Sequence, residues 1–133
     1  MNLTLDHLGI AVKSLESAKA IYELLGIAIT GEEEIPAEKV RVAMVPLGET
    51  RLELLEATSE DSVIAKFIAK RGEGLHHISI RVPDLEAAVS MLKQNGVRFV
   101  SEQIGIGAGD HRYIFIHPSS AGGVLLELVE SSH

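Results

Sequence analysis

An α+β fold is predicted for this chain: two tandem βαβββ modules forming a cupped, eight-stranded mixed sheet with helices on its outer face. Three observations predict it. Shifting the chain by 70 positions lays residues 7–32 on residues 77–102 without a gap, and eight of the 26 positions are identical. Roughly one or two matches would arise by chance from ordinary composition. The match resumes where RLELLE (51–56) lies on LLELVE (125–130). Within each copy the hydrophobic period passes from two to 3.6 and back to two, the order strand, helix, strands.

The elements follow in order. A strand is expected over 5–12 and again over 75–82. Ser14 and Asp84 then stand as N-caps, since a short side-chain oxygen satisfies the first exposed N–H groups of a helix. Leu15, Ala18, Ile21, Tyr22 and Leu25 make one buried stripe; Leu85, Ala88, Met91 and Leu92 make its counterpart. Gly26 and Gly96 fall where a helix stop favours a left-handed residue. Three strands complete each copy, at about 28–32, 40–46 and 50–56, then 98–102, 112–117 and 123–130. The loops EEEIPAEK and QIGIGAGD are irregular and are expected near a cleft. At 133 residues the chain reads as a single domain, module one about 1–70 and module two about 71–133.

Strand alternation sorts the polar residues between faces. Leu8, Ile10 and Val12 share the face that must cover the first helix, which leaves His7, Gly9 and Ala11 opposite. Ile78, Ile80 and Val82 repeat that set, so His77, Ser79 and Arg81 take the other face and His76 turns toward the helix layer. Gly9 and Ser79 leave room beside each imidazole. In the last strands Glu53 opposes Leu52 and Leu54, and Glu127 opposes Leu126 and Leu128. A carboxylate amid an apolar strand is costly unless it is paired or binds a cation. A single strand histidine is more often structural than ligating, and a single strand glutamate is usually a solvated edge residue. One His and one Glu at equivalent positions of both copies favour a metal site. Two neutral imidazoles and two carboxylates cancel the charge of a divalent ion, and N/O ligation suits cobalt, zinc, nickel, manganese or iron(II).

Composition excludes other classes. Apolar residues at 46% and charged residues at 23% are ordinary and rule out disorder. No apolar run approaches the ~18 residues of a membrane span, and the start MNLTLDH resembles neither a signal peptide nor a transit segment. A net charge of −7 without a basic cluster argues against nucleic acid and anionic membrane as partners. The absence of cysteine removes disulfides and thiolate ligands and suits a cytoplasmic location. His111, His117 and His133 read as surface or turn residues, while Arg41, Arg81 and Arg112 read either as solvated strand-end charges or as binding residues.

With these residues in place, the chain resembles the vicinal oxygen chelate superfamily, and within it the methylmalonyl-CoA epimerase family. The resemblance rests on DHLGIAV (6–12), LGETRLELLE (47–56), GLHHISIRV (74–82), IGAGDHRYIFIHP (106–118) and GGVLLELVE (122–130). It implies His7, Glu53, His77 and Glu127 as ligands of one divalent metal ion, the set that strand alternation also selects. It further implies an epimerase that inverts C2 of a CoA thioester, methylmalonyl-CoA, through a metal-stabilised enolate and two acid/base groups. Glu38 of the GEEEIPAEK loop is one such base, with Glu34 as its alternative, and Glu127, or else Glu53, is a candidate for the other. A homodimer is implied as well. Two rival readings stand beside it: a glyoxalase I-type lactoylglutathione lyase, which uses the same kind of ligand set, and a metal-free binding module of the bleomycin-resistance type. HPSSAGG, in place of a D-P-x-G turn before the last strand, favours the epimerase.

Overall fold

A computed structural model describes residues 2–130, so His133 lies outside the described residues. The chain is α+β, and the described residues form eight strands in mixed pairing and three α-helices. It divides into two compact units, His7–His76 and Met1–Asp6 with His77–His133.

The first unit runs through β1 (Thr4–Ala11, from His7 on), α1 (Leu15–Leu24), β2 (Thr30–Ile35), β3 (Val40–Leu47), β4 (Thr50–Ala57) and α2 (Val63–Arg71). Its strand order is β2-β3-β4-β1, with β1 parallel to β4 and the other pairs antiparallel. Ser14 caps α1 as expected, accepting from Ser17 N at 3.2 Å. Leu15, Ala18 and Tyr22 of α1 pack on Ile10, Val12, Ala43, Val45, Leu52 and Leu54, one face of the sheet, whereas Ile21 and Leu25, expected in the same stripe, are exposed.

The helix α2 is an addition to the expected pattern. Ser62 starts it, its side chain accepting from Ile64 N at 3.0 Å. Ile64, Phe67 and Ile68 then cover Ala11, Val40, Val42 and Leu55. These four alternate with the residues under α1, so α2 lies on the opposite face of this unit's sheet.

The second unit contains β5 (Gly74–Val82, from His77 on), α3 (Leu85–Gln94), β6 (Gly105–Ile106), β7 (Arg112–Ile116) and β8 (Leu126–Glu130), ordered β5-β8-β7-β6. Strand β5 is parallel to β8, repeating the β1/β4 pair. Leu85, Ala88, Val89 and Leu92 of α3 cover Ile80, Val82, Ile114, Ile116, Leu126 and Leu128. The strand expected at 98–102 is reduced to a bridge between Phe99 and Ile116, and β6 pairs only at 105–106. Ser101 explains the gap: its Oγ accepts from Gln103 N at 3.3 Å, a local turn that competes with a ladder.

Candidate functional site

In the first unit the face opposite α1 is apolar under α2 and polar beyond it. Along β1 it presents His7, Gly9 and Ala11, and along β4 Arg51, Glu53 and Leu55; His7 is in register with Arg51 and Gly9 with Glu53. His7 is 4% exposed and Glu53 6%, with Nδ1 and Oε2 3.3 Å apart. Arg51 Nε and Nη2 both donate to Glu53 Oε2, at 3.1 and 2.7 Å. A carboxylate this deep requires compensating charge. Arg51 supplies part of it. Its position is legible afterwards: two residues from Glu53 on one strand, it must share the glutamate's face.

The second unit repeats the pair. His77 is 6% exposed and Glu127 7%, with Nε2 and Oε1 3.6 Å apart. Ser79 stands in register with Glu127, as Gly9 does with Glu53. Phe115, the β7 partner of Glu127, meets the His77 ring edge-on at 5.3 Å, and Tyr113 meets Phe115 at 5.7 Å. This aromatic pair, unlisted among the sequence candidates, packs one side of the imidazole and restricts its rotation.

The other residues singled out separate by their partners. His76 packs edge-on against Phe67 of α2 at 4.9 Å, and burial holds its pKa well below the usual value, at about 4. It is a neutral packing residue. Each of the three arginines read as possible binding residues has an acidic partner. Arg41 Nη2 donates to Glu34 Oε1 at 3.4 Å, Arg81 Nη2 to Asp6 Oδ1 at 2.7 Å, and Arg112 Nε to Glu130 Oε2 at 2.8 Å. His117 Nδ1 accepts from Ser119 N at 3.0 Å and shapes the HPSSAGG turn.

The two candidate bases fall in different settings. Glu34 lies on β2 in register with Arg41. Arg41 alternates with Val42 and shares the face of Ala43 and Val45, the α1 side. Glu34 therefore faces away from His7 and Glu53. Glu38 is half-buried in the turn after β2, where its N–H donates to Ile35 O at 3.1 Å. The turn is tied to the segment before α2: Thr58 N donates to Lys39 O at 2.9 Å, and Lys39 Nζ pairs with Asp61.

Chemically, each unit places one imidazole and one carboxylate side by side on a buried strand surface. Adjacent ligands on an ion with ~2.1 Å bonds stand roughly 3.0–3.4 Å apart at octahedral to tetrahedral angles. The spacings of 3.3 and 3.6 Å are close to that range. Ser79 Oγ, fully buried and without a hydrogen-bond partner among the described residues, lies on the same strand face as His77 and Glu127. Buried N and O donors and a polar atom awaiting a partner fit an incoming ion and its ligands.

Comparison with known proteins gives the chain its family. Residues 6–115 match the glyoxalase/bleomycin resistance protein/dioxygenase superfamily. The human mitochondrial methylmalonyl-CoA epimerase is 43% identical over 96% of this chain and 73% of its own length. A crystal structure of methylmalonyl-CoA epimerase from Mycobacterium tuberculosis has a TM-score of 0.90 at 42% identity, covering 97% of this chain and 88% of that one. A variant of the Streptomyces coelicolor methylmalonyl-CoA epimerase, in complex with 2-nitronate-propionyl-CoA, has a TM-score of 0.93 at 36% identity over 99% and 100% of the two chains. The chain belongs to the glyoxalase/bleomycin resistance protein/dioxygenase superfamily and, within it, to the methylmalonyl-CoA epimerase family.

Proposed function

We propose that His7, Glu53, His77 and Glu127 together hold one divalent metal ion and that the chain inverts C2 of methylmalonyl-CoA beside it. The observation that carries the reading is the buried His/Glu pair that the duplication sets at the same register in both units. Each pair alone offers two ligands, fewer than cobalt, zinc, nickel, manganese or iron(II) sites usually take from protein. Two pairs make a four-donor set whose two carboxylates balance a divalent ion and that leaves positions for a bidentate substrate. The ion, when bound, supplies Lewis-acid stabilisation of the charge that develops on the substrate oxygens.

The remaining steps belong to side chains. C2 of methylmalonyl-CoA lies between a thioester carbonyl and a carboxylate, so its proton is acidic enough for a carboxylate base. Inversion needs one group to remove that proton and another to return one to the opposite face. Glu38 takes the first role in our reading, supported by its half-buried place in a tethered turn and by Glu34 facing the α1 side. Glu127 takes the second. Arg51 orients the Glu53 carboxylate, and Phe115 orients the His77 ring.

Deuterium exchange at C2 of methylmalonyl-CoA in D₂O tests the whole reading, with a hemithioacetal assay run in parallel. Exchange should stop after complete chelation and return with added cobalt or zinc, while hemithioacetal is not turned over. Undiminished exchange in metal-free protein would remove the ion from the reaction.

We further propose a single-domain homodimer working in the cytoplasm. Closed two-fold pairing is the commonest oligomer, and Ile21, Leu24 and Leu25 at the end of α1 are exposed apolar residues suited to a partner surface. Light scattering at micromolar concentration tests the pairing. A cysteine-free composition suits the reducing compartment, and no described helix is long and apolar enough to cross a membrane.

A further inference from the structure

Ser79 is 0% exposed, and its hydroxyl has no hydrogen-bond partner among the described residues. Buried hydroxyls are nearly always bonded, because one left unbonded loses its hydration without compensation. The fold does not require a hydroxyl here: the equivalent position of the first copy is Gly9, in register with Glu53 as Ser79 is with Glu127. An alanine would fill the same space without the unmet bond. On β5 the side chain shares its face with His77, two residues earlier, and stands beside Glu127 on the neighbouring strand. The hydroxyl is therefore placed to meet whatever binds at these two residues.

We infer that Ser79 is a substrate-binding residue whose Oγ–H donates a hydrogen bond to an acceptor oxygen of the bound malonyl-type thioester. The inference rests on the epimerase reading of this site. Such a thioester carries two kinds of acceptor, the oxygens of its carboxylate and that of its thioester carbonyl. Either would complete the hydroxyl. A bond to the carboxylate is charge-assisted and the stronger of the two.

The test compares wild type with Ser79→Ala and with Ser79→Cys, which is closer in volume but a weak donor. The probe is 2-nitronate-propionyl-CoA, whose nitronate oxygens stand in for the carboxylate, titrated calorimetrically into metal-loaded protein. Propionyl-CoA, which keeps the thioester carbonyl and lacks the carboxylate, is the second probe. Both variants should bind the nitronate roughly ten- to a hundred-fold more weakly, the range for a hydrogen bond to a charged group. Unchanged propionyl-CoA affinity assigns the bond to the carboxylate position; equal weakening of both probes assigns it to the carbonyl. The ligand-free Ser79→Ala protein should melt at or above the wild-type temperature, since it sheds an unmet hydroxyl. A lower melting temperature with unchanged nitronate affinity overturns the inference and makes Ser79 a structural residue. Wild type that binds the nitronate, with variants that bind it equally well, overturns the inference and leaves the epimerase reading standing. Wild type that neither binds the nitronate nor exchanges the C2 proton overturns both.

Discussion

Glu38 and Glu34 are four residues apart, and the backbone puts them in different settings, Glu34 on β2 and Glu38 in the turn after it. The ladder between β2 and β3 sets Glu34 against Arg41, on the side where Lys19 of α1 also meets Glu32 at 3.0 Å. Glu38 comes after the strand has ended. If Glu38 removes the C2 proton, Glu38→Gln should keep its metal and lose about 10²–10⁴-fold in turnover, the usual contribution of a general base. The loss should be lopsided, because the remaining carboxylate still exchanges the C2 proton of one epimer with D₂O while inversion stalls. Glu34→Gln should stay within a few-fold of wild type. A collapse in Glu34→Gln with normal Glu38→Gln would reverse the assignment, and normal turnover in both would reduce the loop to a lid. At this scale the sequence is legible wherever strand alternation applies. His7, Glu53, His77 and Glu127 come out buried on the faces assigned to them, because Ile10, Val12, Ile80 and Val82 fix the register against α1 and α3. Arg51 and Phe115 escape because what marks them is a neighbour across the strand or along it, and a single-residue reading of either is bland.

Among the elements, α2 is where the repeat misleads. Self-similarity identifies what the two copies share, and the match, which stops at Glu56 and Glu130, does not reach residues 63–71. The local signals were present: Ser62 as a cap and Val63, Ile64, Phe67 and Ile68 at helical spacing. Strand β6 errs in the other direction, since the first copy implies a strand that the Ser101 turn and the glycines of QIGIGAG do not sustain. Gly105 and Gly107 lie against the Tyr113 ring, where an added Cβ at Gly105 would stand 2.9 Å from it. That close approach replaces ladder length with packing. The start of α2 is tied to the Glu38 turn through Asp61, which accepts from Lys39 Nζ and from Ser59 Oγ. The Lys39 hydrogen bond, followed by that from Ser59, lowers the Asp61 pKa from 3.8 to about 2. The folded state thus binds this proton less readily than the unfolded chain, so the stabilisation is present above pH 3.8 and is lost as pH falls toward 2. Carbon-detected NMR should show the Asp61 carboxyl titrating with a midpoint near 2, moving back toward the ordinary value in Lys39→Met. A wild-type midpoint at the ordinary value would mean that the tether is absent in solution.

For the whole molecule the question is why a duplicated chain keeps both copies of its polar pair while letting so much else diverge. Leu8, Ala11 and Leu24 have become Ile78, Arg81 and Gln94, yet His and Glu stand unchanged in each copy. Two independent sites of one imidazole and one carboxylate each would carry two ions held by two protein ligands apiece. Divalent ions of this class are rarely retained on so few. One ion on four ligands requires both pairs at once. Elemental analysis of purified protein should therefore find one ion per chain, and His7→Ala and His77→Ala should each lose nearly all of it. The two carboxylates of the four-residue set match the charge of a 2+ ion, whereas either pair alone supplies one, and that of Glu53 is shared with Arg51. Two ions per chain in wild type, or a full ion retained when one pair is destroyed, would show that each copy binds by itself. The duplication would then be a record of ancestry, with no part in assembling the site.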